Sequence, residues 1–119
     1  MNIEEIRLYC IAKKAVTESF PFDEDTLVFK VMGKMFALVS LADADRVNLK
    51  CDPEYAIELR EKHTGIRSGF HMNHKHWNTV LFNDDAPDQL IFKLIDHSYE
   101  MVLKGMTKKL KKEYDELSD

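Results

Sequence analysis

Glycine, cysteine and positive charge are all in short supply in this chain of 119 residues, and each shortage removes a class of function. Four scattered glycines cannot build the glycine-rich loop whose backbone amides cradle phosphates. Two cysteines, Cys10 and Cys51, form no C-x-x-C pair, so neither a disulfide-stapled domain nor a cysteine zinc site is expected; both thiols should be free and buried. Neither sits in a recognisable nucleophile loop, and no oxyanion site can be named, so the expectation is a non-enzymatic protein without a cofactor. The formal net charge of −4 opposes indiscriminate binding of a polyanion, because that affinity comes from Lys and Arg displacing condensed counterions. Any nucleic-acid site must therefore be a local patch. No apolar run approaches the roughly 18 residues that cross a bilayer. The first residues, Met1–Ile6, lack the basic start and apolar stretch of a secretory leader, so a cytoplasmic location is expected. There is no internal repeat and no low-complexity segment.

What is present suits one globular domain over residues 1–119, with a basic tail from about residue 106. Hydrophobic residues make up 45% and charged ones 32%, enough apolar surface for an independent core. Ile3, Ile6 and Cys10 share one stripe of a first helix over Asn2–Lys14, with Asn2 as N-cap and Glu4 and Glu5 near its positive end. Residues 17–25 read as a polar connection in which Phe20 and Phe22 plug the end of a core. Leu27–Met32 and Met35–Leu41 are β-rich runs joined by a hairpin turn at Gly33–Lys34. A third strand follows at Arg46–Cys51, where alternation puts Val47, Leu49 and Cys51 on one face. Asp52–Pro53 caps and opens a second helix to Lys62. Trp77–Phe82 reads as a strand, and a long helix opens near Pro87 and stops at Gly105. The order is roughly α-β-β-β-α-β(β)-α. The fold class is α+β, two layers, a mostly antiparallel sheet packed by helices.

The segment Gly69–Val80 is the least ordinary part of the chain, since it holds three of the five histidines and the single tryptophan. His71, His74 and His76 have spacings that a turn could converge on a metal. Zinc sites, however, need four protein ligands, or three with an open position, and no cysteine lies nearby. No metal is expected. On the structural reading, Asn73 bonds local backbone, His76 stands beside it, and Trp77 buries its indole with a partner for its N–H. His97, on the edge of the long helix's apolar stripe, is expected to be a hydrogen-bonded boundary histidine.

The ordered blocks Val16–Phe22, Thr26–Leu38, Asn48–Pro53, Gly69–Asn73 running into His76–Val80, and Leu94–Tyr99 together resemble the MmcQ/YjbR-like proteins, small bacterial α+β domains. The resemblance implies a fold like that of type III secretion chaperones and the CyaY (frataxin) group. It also implies a double-wing DNA-binding role. The chain departs from the family pattern at Ala12–Ala15, where relatives carry a Pro-Gly turn.

Two partners remain open. DNA would be held weakly and salt-sensitively by a local basic surface made of Lys30, Lys34, Arg67 and Lys75, which Asn73, His76 and Trp77 would position. Alternatively, the domain holds a partner polypeptide, chaperone-like, on exposed apolar parts of its sheet. The acidic turn Asn83–Asp85 opposes DNA unless it points away from the basic residues. A monomer with no membrane association is expected.

Overall fold

The computed structural model describes residues 1–69 and 72–118. Ten elements alternate along the chain: α1 (Ile3–Ile11), β1 (Val16–Ser19), β2 (Thr26–Val31), β3 (Lys34–Ser40), β4 (Arg46–Lys50), α2 (Pro53–Lys62), β5 (Ile66–Ser68), β6 (Trp77–Leu81), α3 (Asp88–Lys104) and α4 (Lys108–Glu116). The strands form one sheet in the order β1-β2-β3-β4-β6-β5, and every neighbouring pair is antiparallel. This is the α+β architecture expected from the sequence, with two strands beyond the four that the pattern places.

Those two are short edge strands, and their brevity hid them. Three of the four residues of β1, Thr17, Glu18 and Ser19, are polar, so it read as a connection, yet Val16 to Ser19 pair with Val31 to Val28. β5 has three residues, with only Ile66 buried. α1 ends at Ile11 rather than at Lys14. The β2–β3 turn is one residue earlier than the sequence suggests. Val31 pairs with Lys34, so the turn residues are Met32 (φ 52°) and Gly33 (φ 79°), the two positive φ angles that a tight hairpin with right-handed twist requires.

The core lies between one face of the sheet and the helices. Ile6 and Cys10 of α1, Ala56 and Leu59 of α2, and Ile91, Leu94, Ile95 and Val102 of α3 pack on Leu27, Phe29, Val31, Val39, Val47, Leu49 and Val80. Phe36 is the extra residue of a β-bulge: Phe29 pairs with Ala37 but Lys30 with Met35. The bulge turns both Phe36 and Ala37 toward the helices, and Phe36 meets the Tyr99 ring edge-on at 5.5 Å. Pairing of β3 with β4 also stops at Ala37–Leu49. The buried Ser98 of α3 then takes the two groups that the next rung would have joined, donating to the Phe36 carbonyl (2.5 Å) and accepting from the Lys50 amide (2.9 Å).

On the helix-free face, successive register partners place Ser19, Val28, Leu38, Asn48, Thr79 and Arg67 in one row across all six strands. Val28 and Leu38 are nonetheless buried, because Trp77, Met35 and Met72 cover them. Gly69 makes that cover possible. A Cβ there would stand 2.9 Å from Trp77 Cβ and 3.1 Å from Met72 Cβ.

Ala15 holds a left-handed φ of 63° at the point where relatives were expected to carry a Pro-Gly turn. Left-handed backbone costs an L-residue about 1–2 kcal/mol, and glycine relieves that cost but forfeits about 0.4–1 kcal/mol of the gain by making the unfolded chain more flexible. Ala15→Gly should therefore raise stability by about 0.5–1 kcal/mol in urea denaturation. A destabilised variant would show that the Ala15 methyl packs more than it strains.

Candidate functional site

Four chain segments end together at one pole of the sheet. These are the β2–β3 hairpin with Lys34, the end of β4 with Lys50, the loop into β6 with Asn73 and His76, and the last turn of α3 with Lys104. Between them run two adjoining cavities that share Lys50, Trp77 and Gly105. One is about 450 Å³ and also lined by Asn73, His76, Met101 and Lys104; the other is about 240 Å³ and reaches Lys34. Among the described residues, no carboxylate lines either cavity. Lys34, Lys50 and Lys104 make no side-chain ion pair with a described residue, and the Trp77 indole N–H has no hydrogen-bond partner among them. The charged groups that line the cleft are all cationic.

Backbone bonds hold this wall in place. The Asn73 side chain accepts from the Lys75 amide (2.9 Å), and its carbonyl accepts from the amides of His76 (3.2 Å) and Trp77 (3.0 Å). This is the Asx turn that the residue type favours. The His76 carbonyl takes the Cys51 amide (2.7 Å), and His97 Nε2 takes the next amide, Asp52 (3.1 Å). Two successive amides after β4 thus tie the histidine loop and α3 to the same strand end. On the helix side, Arg60 donates to the Asn78 side chain (2.7 Å) and to the His74 carbonyl (3.2 Å).

The opposite pole is acidic. Asp23 and Asp25 precede β2, Asp43 and Asp45 precede β4, and Asp84 and Asp85 follow β6. β4 alone, from Arg46 to Lys50, separates the poles by about 13 Å. The acidic turn Asn83–Asp85 therefore points away from the basic cleft. Its carboxylates have local tasks: Asp85 accepts the amides of Gly65 (2.9 Å) and Thr64 (2.8 Å), which hold it below the usual carboxylate range.

The four basic residues singled out from sequence separate into two groups. Lys34 lines the cleft, and the exposed Lys75 stands on its loop beside His76. Lys30 and Arg67 share the helix-free face but lie four strand spacings apart, about 19 Å. Arg67 also folds back, its Nε donating to the Thr64 carbonyl (3.3 Å). Lys50 was not singled out, since alternation made it only an outward strand residue, and Lys104 counted from sequence only as one of the lysines crowding the C-terminal end. The proximity of Trp77 to Lys50, its register partner, is the signal that a strand alignment would have supplied.

Of the imidazoles considered for metal, His71 lies outside the described residues, His74 is exposed and His76 lines the cleft. Among the described residues no group of three His, Cys, Asp or Glu side chains gathers as a metal site would. Cys10 and Cys51 are buried, and burial pushes each thiol up to about 12, far from a thiolate at neutral pH.

The YjbR family profile matches residues 11–101. The chain belongs to the YjbR family. The Escherichia coli (strain K12) protein YjbR is 36% identical over 104 residues, covering 87% of this chain and 88% of its own. Bacillus subtilis (strain 168) YyaQ is 31% identical over 75 residues, 63% of each chain. Among solved structures, the crystal structure of Deinococcus radiodurans protein DR2400 is 40% identical with a TM-score of 0.88, covering 95% of this chain and 87% of that one. A Pseudomonas syringae crystal structure is 28% identical with a TM-score of 0.72, covering 85% and 98%. In this YjbR-family chain the matched region contains the whole sheet and ends inside α3, just short of Lys104.

His97 carries a pH prediction. Burial holds its imidazole below the usual range, with Lys104 acting in the same direction and Asp52 against it. Its Nε2 must be unprotonated to accept from Asp52. The folded state thus prefers the neutral ring, so its contribution is complete above the unfolded value of about 6.5 and is lost as pH falls through the lower folded value. Thermal unfolding should show stability dropping below about pH 6.5, and His97→Gln should flatten that drop. An unchanged pH profile in the variant would sink the assignment.

Proposed function

We propose that this YjbR-family domain is a non-enzymatic, cytoplasmic DNA-binding protein whose contact surface is the basic pole of the sheet. Lys34, Lys50, Lys75 and Lys104 are the phosphate-directed cations, with Lys30 and Arg67 flanking them on the helix-free face. The observation that carries the reading is the segregation of charge. In a chain of net charge −4, three ammonium groups share a concavity without a carboxylate, while the acidic turns collect at the other pole. Local potential, not net charge, governs encounter with a polyanion. Asn73, His76 and Trp77 position this surface.

Four lysines on duplex phosphates predict that log affinity falls with log salt at a slope of about −3.6, so that binding weakens about 150-fold between about 50 and 200 mM. Lys50→Ala should shallow the slope by about 0.9. Fluorescence anisotropy with a labelled duplex measures both. No binding at about 50 mM salt, where counterion release favours it most, removes the reading.

A second reading has one specific support. Phe20, Phe22 and Leu41 are 46%, 65% and 44% exposed near the acidic pole, where a partner polypeptide with apolar and basic residues would fit. Binding there would be insensitive to Lys50→Ala and lost in Phe22→Ser.

A further inference from the structure

The cleft beneath Trp77, which a duplex backbone would bridge, also has the chemistry to take a single concentrated anion. Its volume of about 450 Å³ falls within the range of small-ligand sites. Its donors differ in kind but share a deficit. The ammonium groups of Lys50 and Lys104 have no acid partner among the described residues, the Trp77 N–H and the His76 ring have no hydrogen-bond partner there, and Lys34 extends the row into the adjoining cavity. Lys34 and Lys104 are exposed and no buried side-chain donor among the described residues lacks a partner, so these groups face solvent and are free to exchange water for an acceptor-rich anion.

We propose that this cleft is a seat for a terminal phosphate, the phosphomonoester that ends a nucleic-acid strand or a mononucleotide. The inference rests on the polyanion reading above and narrows it. An internal phosphodiester carries a single charge and two free oxygens. A monoester carries about −1.5 to −2 charges at neutral pH and three strong acceptor oxygens, the better match to several convergent cations. A strand end can also enter a concavity that a continuous backbone only bridges. The negative end of α3 faces the same region, but Lys104 in its last turn and the positive end of α4, which begins at Lys108, offset it.

Trp77 makes the test direct, because it is the only tryptophan and lines both cavities. Its fluorescence would be followed while the full chain is titrated with a 5′-phosphorylated single-stranded 12-mer, the same 12-mer with a 5′-hydroxyl, a longer 5′-hydroxyl strand of matched total charge, and deoxyadenosine monophosphate. The phosphorylated strand is expected to bind about tenfold tighter than the matched-charge strand, the loss of roughly one charge-assisted hydrogen bond. Lys50→Gln and Lys104→Gln should each erase that preference, and Lys93→Gln, at an exposed position on α3 outside the contact surface, should leave it intact. Preference for the phosphorylated strand identifies strand ends as the source. A fluorescence change with the mononucleotide but no oligonucleotide binding supports the seat with a free phosphate ester, and ends the DNA reading. Equal binding of all three strands overturns the seat and leaves the DNA reading in place. No response to any titrant overturns both.

Discussion

Replacing Trp77 with alanine should cost about 3–5 kcal/mol of folding stability, among the largest effects available in this chain. The indole is 9% exposed and, with Met35 and Met72, is what keeps Val28 and Leu38 dry on a face that no helix covers. Removing it exposes a second small core to water or leaves a cavity, and both terms act together. The two methionines are flexible enough to fall partly into the gap, which places the expectation toward the lower figure. Trp77→Phe should recover most of the loss while deleting the N–H donor from the cleft, separating stability from recognition. Urea denaturation measures both variants. A loss under about 1 kcal/mol for the alanine variant would mean that the loop over the sheet, and not the ring, does the covering.

Ser98→Ala is expected to cost about 2–4 kcal/mol, although it removes one oxygen. The Ser98 hydroxyl is fully buried and serves two main-chain groups, the Phe36 carbonyl and the Lys50 amide, at the point where β3 and β4 stop pairing. Without it both lose a partner in a place water does not reach, each at about 1–3 kcal/mol, and alanine's better helix propensity returns about 0.5 kcal/mol. Ser98→Thr keeps the hydroxyl and should be milder. A loss under about 1 kcal/mol would show that the Lys50 amide reaches the Phe36 carbonyl once the serine no longer stands between them. That closure would draw Lys50 toward β3 and reshape the cleft, so reduced anion binding would accompany the small loss.

These two residues show where sequence reasoning succeeds and where it stops. Trp77 was legible as a buried ring before a strand, because a lone tryptophan leading Asn78–Leu81 has few other uses. Ser98 was legible only as a member of the apolar stripe of α3. Its position on that stripe is a matter of helical period, but its task depends on a bulge at Phe36, sixty-two residues earlier. No local pattern announces a bulge when the residues on both sides of it are apolar, as Met35 to Leu38 are. The same holds for the helix-free face. Asn73, His76 and Trp77 were recognisable as a group, yet the cations that accompany them, Lys50 and Lys104, come from strand and helix ends that look like ordinary solvated lysines.

Sequence alone was sufficient for the family, for the α+β class and for most element positions, because hydrophobic period, capping residues such as Asn2 and Asp52, and turn chemistry are local properties of the chain. The short edge strands, the bulge, and the gathering of Lys34, Lys50 and Lys104 around Trp77 were decided only by the tertiary structure. Their physical basis is non-local: register partners and strand ends bring together residues far apart in the chain, and the charge that matters to a ligand is the one left where those ends meet.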